Sequence, residues 1–197
     1  IGLKNGNSKW ISNHFSRSYV HRLRAEFDAI VVGGNTLRKD NPLLTSRGEK
    51  YPEPLRVVFT KSLDLPQKCN LWDGNIAKTL VVYDASSANE KLLSRIPSKV
   101  DVEKVASSNP IELSKLLAKK GLNKILWECG PGLATSALKN GCIQETISFI
   151  APKILGGENL MNPFSDFHFE TVNQAILLKN LEIQKFDEDI CLRNSFV

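Results

Sequence analysis

The chain has 197 residues, of which 42% are hydrophobic and 24% charged. These are the proportions of a globular domain that buries roughly 70% of the surface exposed by its unfolded form. No apolar run approaches the roughly 20 residues of a membrane-spanning helix, and residues 1–10 lack the charged-then-apolar order of a secretory signal, so the expected location is cytoplasmic. The net charge of +5 permits a nucleic-acid partner, but the basic residues are dispersed among acidic ones, which better suits ligands carrying phosphate.

In chain order, Ser12 is expected to cap a helix running to about Ala25, with Ser16, Val20, Leu23 and Phe27 in one stripe. Arg17, His21 and Arg24 lie along a neighbouring face of it. Residues 29–33 (AIVVG) form an apolar run without alternation, the pattern of a strand buried on both faces of a parallel sheet. Residues 55–60 (LRVVFT), 79–83 (TLVVY) and 125–128 (ILWE) read the same way. Ahead of the last run, Asn109 caps a helix that has Pro110 at its first position and Gly121 at its end. A further helix is predicted after Gly132, stopping near Asn140 and Gly141. Beyond it, residues 146–151, 175–178, 181–185 and 190–193 are strand candidates with few helical signals between them. Alternation early and consecutive strands late predict an α/β fold, with a mostly parallel central sheet, helices on both faces and an antiparallel C-terminal hairpin at one edge.

Two segments carry the expected chemistry. Gly33 and Gly34 end the first strand and lead into polar residues that can start a helix. Gly130, Pro131 and Gly132 follow the ILWE strand in the same way. Glycines let a backbone approach a ligand closely, and the free N–H groups of a helix start attract anions. An ordinary strand-to-helix turn has the same spelling, and the second turn lacks the third glycine of a dinucleotide fingerprint. Two such turns at the carboxyl ends of parallel strands mark the edge where open α/β sheets bind ligands. Glu128, at the end of an apolar strand, must meet water, a ligand or a basic partner. Asp40, before Asn41 and Pro42, either stabilises a turn or meets a ligand. Arg24 and Arg47 have no acid at helical spacing, and each is either a solvated charge or a phosphate clamp. Cys69, Cys129, Cys142 and Cys191 form no CxxC pair, and His14, His21 and His168 have no metal-ligand spacing. Reduced thiols and no metal are therefore expected.

Taken together, the segments resemble one family. Gly6-Asn7-Ser8-Lys9-Trp10-Ile11-Ser12 is similar to its G-x-S-x-W-I-[ST] segment, and Val20-His21-Arg22-Leu23-Arg24-Ala25 to its V-H-x-L-R-A helix. Gly33-Gly34-Asn35-Thr36, Asp40-Asn41-Pro42 and Leu44-Thr45-Ser46-Arg47 resemble its G-x-x-T-x-x-x-D-[DN]-P-x-L-T-x-R signature. Glu128-Cys129-Gly130 resembles its E-G-G turn, and Ala151-Pro152-Lys153-Ile154-Leu155-Gly156-Gly157 its A-P-K-[IL]-[IL]-G-G loop. The family is the reductase domain of the bifunctional riboflavin-biosynthesis deaminase/reductase, whose fold is like that of dihydrofolate reductase. The resemblance spans nearly the whole chain and implies one reductase domain over residues 1–197.

What the resemblance implies is an NADPH-dependent reduction of the ribose of 5-amino-6-(5-phosphoribosylamino)uracil to a ribityl chain. Ser8, Arg24, Leu44, Arg47 and Glu128 would contact substrate, the arginines taking its 5-phosphate. Trp10, Gly33, Gly34, Thr36 and Asp40 would contact NADPH, and Gly130, Pro131, Gly132, Leu133, Ala134, Thr135 and Ser136 would cradle its pyrophosphate. Lys61 and Ser62 are further candidates for its 2′-phosphate, and Asp40 and Glu128 are the candidate proton donors. A homodimer paired through the late strands is implied, as is a zinc deaminase acting with or fused to the reductase. The pattern departs from the family in three places. Cys129 replaces a glycine, Pro131 removes one N–H from the cradle, and the S-L-D-G strand that precedes the position of Ile1 in the family is missing, so the sheet is expected to lack a central strand. Other readings are a stand-alone diaminopyrimidine or folate reductase on the same fold, or a non-catalytic regulatory domain of flavin metabolism.

Overall fold

The computed structural model describes residue 3, residues 9–156 and residues 162–196. The chain divides into two compact units, one of Ile1–Val20 with Ile143–Val197 and the other of His21–Cys142.

The larger unit is built on five parallel strands: β1 (Ala29–Gly33), β2 (Leu55–Thr60), β3 (Thr79–Asp84), β4 (Asp101–Val105) and β5 (Ile125–Trp127). Their order across the sheet is β4-β3-β2-β1-β5. All four runs expected as strands are strands, β3 one residue longer and β5 one shorter than predicted. β4 has the sequence DVEKV, and its polar residues leave no apolar run to find. It is a half-exposed strand paired to β3 alone, so only part of it needs to be apolar.

β1 shows why its sequence is apolar throughout. Successive strand side chains point to opposite faces. Ile30 and Val32 accordingly enter one core with Val58, Val81, Leu63, Leu71 and Trp72, while Ala29 and Val31 enter another with Val57, Leu80, Val82, Leu113 and Leu117. All four of these β1 residues are fully buried, and each of the larger ones is worth about 1.5–3 kcal/mol relative to exposure.

The helices follow from the strand order. Helix α2 (Gly34–Asp40) connects β1 to β2, and helix α3 (Pro110–Lys119) connects β4 to β5. From β1 to β4 each connection moves the same way across the sheet, and its apolar residues (Leu37, Leu63, Leu71, Ile96) join the first core. The step from β4 to β5 reverses direction, and Leu113 and Leu117 of α3 join the second core, as right-handed crossovers require. Helix α3 starts as expected, with the Asn109 side chain accepting from the Ile111 N–H and Pro110 at its first position. Helix α4 (Pro131–Lys139) begins at Pro131, one residue before Gly132, because proline's fixed φ suits the first helical position.

One residue of β2 breaks the apolar pattern. The Arg56 side chain is fully buried. Its Nη2 donates to the carbonyls of Leu71 (3.0 Å), Asp73 (2.8 Å) and Ala77 (2.5 Å), and its Nη1 to those of Leu43 and Asn70 (both 3.4 Å). A buried charge thus gathers carbonyls from two irregular stretches, Leu43 ahead of β2 and residues 70–77 ahead of β3.

The smaller unit contains the start of helix α1 (His14–Ala25) and the strands β6 (Glu145–Ile150), β7 (Leu178–Phe186) and β8 (Asp189–Phe196). Asn13, not Ser12, caps α1, its Oδ1 accepting from the Ser16 N–H at 2.9 Å. Ser12 instead offers its carbonyl to the Arg17 guanidinium. The late hairpin is antiparallel as expected, yet it does not edge the parallel sheet. β7, β8 and β6 make a separate three-stranded sheet in the order β6-β8-β7, and among the described residues no strand pairs with both β5 and β6. Residues 175–177 are not a strand, because a 3-10 turn at Val172–Gln174 precedes β7. Tyr19, Phe149 and Phe186 pack their rings together, with centroids 4.7–6.2 Å apart. The buried carboxylate of Asp189 accepts from the Asn13 N–H and the Ser16 hydroxyl, each at 2.7 Å, and so ties the start of α1 to β8.

Candidate functional site

In the larger unit the strand order changes direction at β1, whose neighbours are β2 and β5. Loops leaving the carboxyl ends of two strands at such a switch point diverge to opposite faces and open a crevice. The two loops are the glycine turns read from the sequence. Both helices that follow, α2 and α4, lack a capping side chain; Gly33 and Gly130 occupy their N-cap positions in extended conformation. Pro131 has no N–H, and the Ala134 N–H donates to the Gly130 carbonyl at 3.0 Å. The Gly132 and Leu133 amides are among those a helix leaves without an internal partner. The turns also lie close together: a methyl group on Gly130 would come 3.7 Å from Thr36 Oγ1, and one on Gly33 would come 3.8 Å from Leu133 Cδ2. Gly132 faces open space, whereas Gly34 packs so tightly that an added methyl would come 2.9 Å from Thr60 Oγ1.

Beside the second turn, Glu128 continues the β5 pairing, its N–H donating to the Val31 carbonyl at 3.0 Å. Its carboxylate is gripped by Arg24, with Nε donating to Oε2 at 2.9 Å and Nη2 to Oε1 at 2.7 Å. Helical spacing offers Arg24 no partner and no reason to be buried, yet its side chain is 11% exposed and bidentately paired to a residue 104 positions away. The remaining Arg24 nitrogen, Nη1, donates to the Thr45 carbonyl at 2.9 Å and lies 3.0 Å from His21 Nδ1. Burial, then the neighbouring Arg24 charge, holds the His21 imidazole below its usual pKa; Arg47 pushes the same way, while the Thr45 carbonyl and Glu128 oppose. Arg24, Arg47, Glu128 and His21 thus share one electrostatic neighbourhood.

Arg47 is exposed and sits in the left-handed region (φ 55°), as do Asn41 (φ 40°) and Leu44 (φ 52°). A single carboxylate secures the turn around it. Glu53 accepts from the Ser46 N–H at 2.6 Å and the Gly48 N–H at 3.2 Å, the two amides that bracket Arg47. Leu44 is 2% exposed, and its side chain belongs to the core. Asp40 is exposed at the last position of α2, and Lys61 and Ser62 are exposed just past β2. Cys129 needs no glycine-like geometry, for it is absent from the described residues with positive φ. Burial, reinforced by the adjacent Glu128 charge, pushes its thiol up to about 12, so it is no nucleophile.

Other expected contacts are not part of the larger unit's described residues. Ser8 and Gly157 lie outside the described residues. Trp10 belongs to the smaller unit, where the Arg17 guanidinium lies 4.4 Å from its ring centre. Lys153, from the A-P-K segment, donates to the carbonyls of Trp10 (2.9 Å) and Ile11 (2.6 Å). His21, Glu53 and Lys153 were not nominated from the sequence. His21 stands three residues before Arg24, which was a usable signal; Glu53 is a loop residue with no periodicity to betray it.

Residues 1–192 match the family model described as the RibD C-terminal domain. The chain belongs to that family. It is 37% identical over 191 residues to the riboflavin biosynthesis protein RibD of Synechocystis, covering 96% of this chain and 51% of the relative. It is 38% identical over 192 residues to the chloroplastic riboflavin biosynthesis protein PYRR of Arabidopsis thaliana, covering 96% of this chain and 32% of that protein. Of these two relatives the chain spans about half and about a third of the length. The solved RibD of Acinetobacter baumannii superposes on all of this chain and 54% of its own with a TM-score of 0.82, at 25% identity. The fold is thus that of the RibD C-terminal domain, and the family model runs through both compact units as one stretch.

Proposed function

We propose that residues 1–197 act as one reductase domain that uses NADPH to reduce the ribose of 5-amino-6-(5-phosphoribosylamino)uracil to its ribityl form. The observation that carries this is the pairing of two uncapped, glycine-led helix starts at the β1/β5 switch point with the Arg24–Glu128 pair beside the second of them. Uncapped amides with open space at Gly132 fit a pyrophosphate, and Thr36 Oγ1 beside Gly130 adds a donor at the junction of the turns. In this scheme Gly33, Gly34, Thr36, Asp40 and the α4 start from Gly130 to Ser136 hold the cofactor, with Lys61 and Ser62 toward the 2′-phosphate; Trp10 is assigned a cofactor contact on the motif alone. NADPH, when bound, supplies the hydride.

The chain's own residues bind and orient the sugar. Arg24 and Arg47 take the 5-phosphate, and Leu44 contributes its backbone. Ser8 is assigned a substrate contact on the motif alone. The hydride bonds to C1, the bond from C1 to the ring oxygen breaks, and that oxygen takes up a proton. Glu128 has both oxygens engaged by Arg24, so it serves as an acceptor that fixes the substrate. Asp40, which is solvent-exposed, and Glu128 are the candidates for delivering the proton.

A homodimer forms through the late strands. On β7, Leu181 and Ile183 are 49% and 64% exposed, an amount of apolar surface that a lone antiparallel sheet seldom leaves open. The substrate comes from a deaminase that works with or is fused to this domain, and the setting is the cytoplasm. The test is NADPH oxidation with the riboside phosphate as acceptor. Turnover with that substrate and not with dihydrofolate is expected; no turnover, or equal affinity for NADH and NADPH, overturns the reading.

A further inference from the structure

We infer that His21 is a positioning residue for Arg24, a neutral imidazole whose Nδ1 lone pair accepts from the guanidinium that Glu128 grips on its other side. The inference rests on the site proposed above and concerns how its main cation is held.

The geometry fixes the proton. Nδ1 of His21 lies 3.0 Å from Arg24 Nη1 and 3.3 Å from the Thr45 carbonyl oxygen. A guanidinium only donates. If Nδ1 carried a proton for Thr45, that N–H would face an arginine N–H at hydrogen-bonding distance. The Thr45 carbonyl already accepts from the same Nη1 at 2.9 Å, so it has no need of His21. The arrangement that satisfies all three groups has Nη1 donating to both the carbonyl and an unprotonated Nδ1, with the ring proton on Nε2. The charged groups facing the ring agree. Arg24 and Arg47 disfavour a third positive charge, the Thr45 carbonyl and Glu128 favour one, and burial, the largest influence, joins the arginines in lowering the imidazole pKa. Arg24 is then fixed from three directions: a carboxylate on β5's extension, a backbone carbonyl of the 43–48 loop, and a ring nitrogen one helical turn back along α1. Rigid placement of a charged donor raises affinity by lowering the cost of ordering it on binding.

Protonation of His21 would turn that acceptor into a donor, so the hold on Arg24 should weaken with falling pH. Because the folded pKa lies below 6.5, the effect appears only beneath that value.

The experiment measures substrate KM from pH 5 to 8 in the wild type, His21→Leu and His21→Asn, with the imidazole recorded by 15N NMR. Asparagine can present an oxygen where Nδ1 lies but does not titrate. Expected are a wild-type KM that climbs on the acid side with a midpoint below 6.5, and an H21L KM about tenfold above the wild-type value at pH 8, the scale of one hydrogen bond to a charged group, with that gap closing as the wild type climbs. H21N should recover most of that loss and show no acid limb, with kcat much less affected throughout. The substrate phosphate also titrates near pH 6. An acid limb that persists in H21N would therefore belong to the substrate and overturn the inference, as would an Nδ1–H tautomer in the spectrum at pH 7.5. The NMR result does not depend on turnover. If the chain fails to reduce the riboside while His21 is neutral with a bare Nδ1, the functional reading fails and this one stands.

Discussion

At Arg24 every guanidinium nitrogen is engaged, two by Glu128 and one by Thr45 and His21, while Arg47 stands exposed on a turn with its side chain free of any such partner set. Replacing either with alanine removes a charged donor worth about 1.5–3 kcal/mol, so substrate KM should rise about 10- to 150-fold while NADPH affinity stays within about twofold. If a variant loses the cofactor and keeps the substrate, the pocket has been assigned to the wrong loops. The pairing adds a condition the sequence could not supply. Arg24→Ala strands the Glu128 carboxylate and Glu128→Gln loosens Arg24, so the double variant should lose less than the sum of the singles. Additive losses in KM would show that the two side chains act separately. Cys129 gives a simpler check at the same scale. With its thiol pushed up to about 12, it should alkylate at pH 8 far more slowly than a free cysteine, which mass spectrometry of the labelled chain reads directly.

Among the elements, the 43–48 loop was legible as a motif but not as an object. Its letters named Leu44 and Arg47, yet what shapes it comes from residues no local pattern connects to it. Glu53 brackets Arg47 with two amide contacts, Arg56 reaches the Leu43 carbonyl from β2, and Arg24 reaches the Thr45 carbonyl from α1. Sequence periodicity reports which face of an element is buried; it does not report a side chain that leaves its element to collect carbonyls elsewhere. LRVVFT was correctly read as a buried strand, and its arginine then proves to be the most deeply committed charge in the larger unit. Arg56→Met should lower stability by about 3 kcal/mol or more in chemical denaturation, because several carbonyls lose their donor at once. A loss below about 1 kcal/mol would mean those carbonyls find water. Gly34 makes the complementary case for close approach. A methyl there meets Thr60 Oγ1 at 2.9 Å and both Thr60 Cβ and Leu65 Cδ2 at 3.3 Å, so Gly34→Ala should cost about 1–3 kcal/mol although alanine favours helices. A neutral or stabilising G34A would show that the start of α2 can shift away from β2.

For the whole molecule, the alternation of apolar runs and helix signals was enough to read a parallel α/β layout, because a doubly covered strand must be apolar on both faces and β1, β2 and β3 are. The late strands were found but misattached, since pairing between sheets is decided by backbone edges and leaves no trace in side-chain pattern. β4 was missed for the opposite reason, its exposure having removed the apolar signal. The pH dependence of stability was equally hidden, because it depends on where individual carboxylates end up. Asp84, at the carboxyl end of β3, is 3% exposed and accepts from the Ser86 N–H (2.9 Å), the Ser86 hydroxyl (2.6 Å), the Ser87 hydroxyl (3.3 Å) and the Ser108 N–H (2.9 Å). These donors, the Ser86 hydroxyl first, hold its carboxyl down at about 2, against 3.8 for an ordinary aspartate. Asp28 is lowered too, chiefly by the Lys124 and Asn123 amides that latch β5 to the start of β1. A carboxylate with a depressed folded pKa stabilises the fold above its unfolded pKa, and that contribution drains away as pH falls toward the folded value. Between about pH 4 and pH 2 the unfolded chain takes up protons that the native Asp84 refuses. His21 contributes in a higher window by the mirrored route: its folded pKa is lowered, so below 6.5 the unfolded chain again binds the extra proton and stability again falls. Acid unfolding should therefore begin with a shallow decline below pH 6.5 and steepen below pH 4. Thermal melts of the wild type and Asp84→Asn across pH 2–8 separate the two windows. The variant should be less stable at neutral pH and should lose part of the steep limb while keeping the shallow one. If D84N follows the wild-type slope between pH 4 and 2, the serine cluster is not holding that carboxylate ionised and the acid limb arises elsewhere.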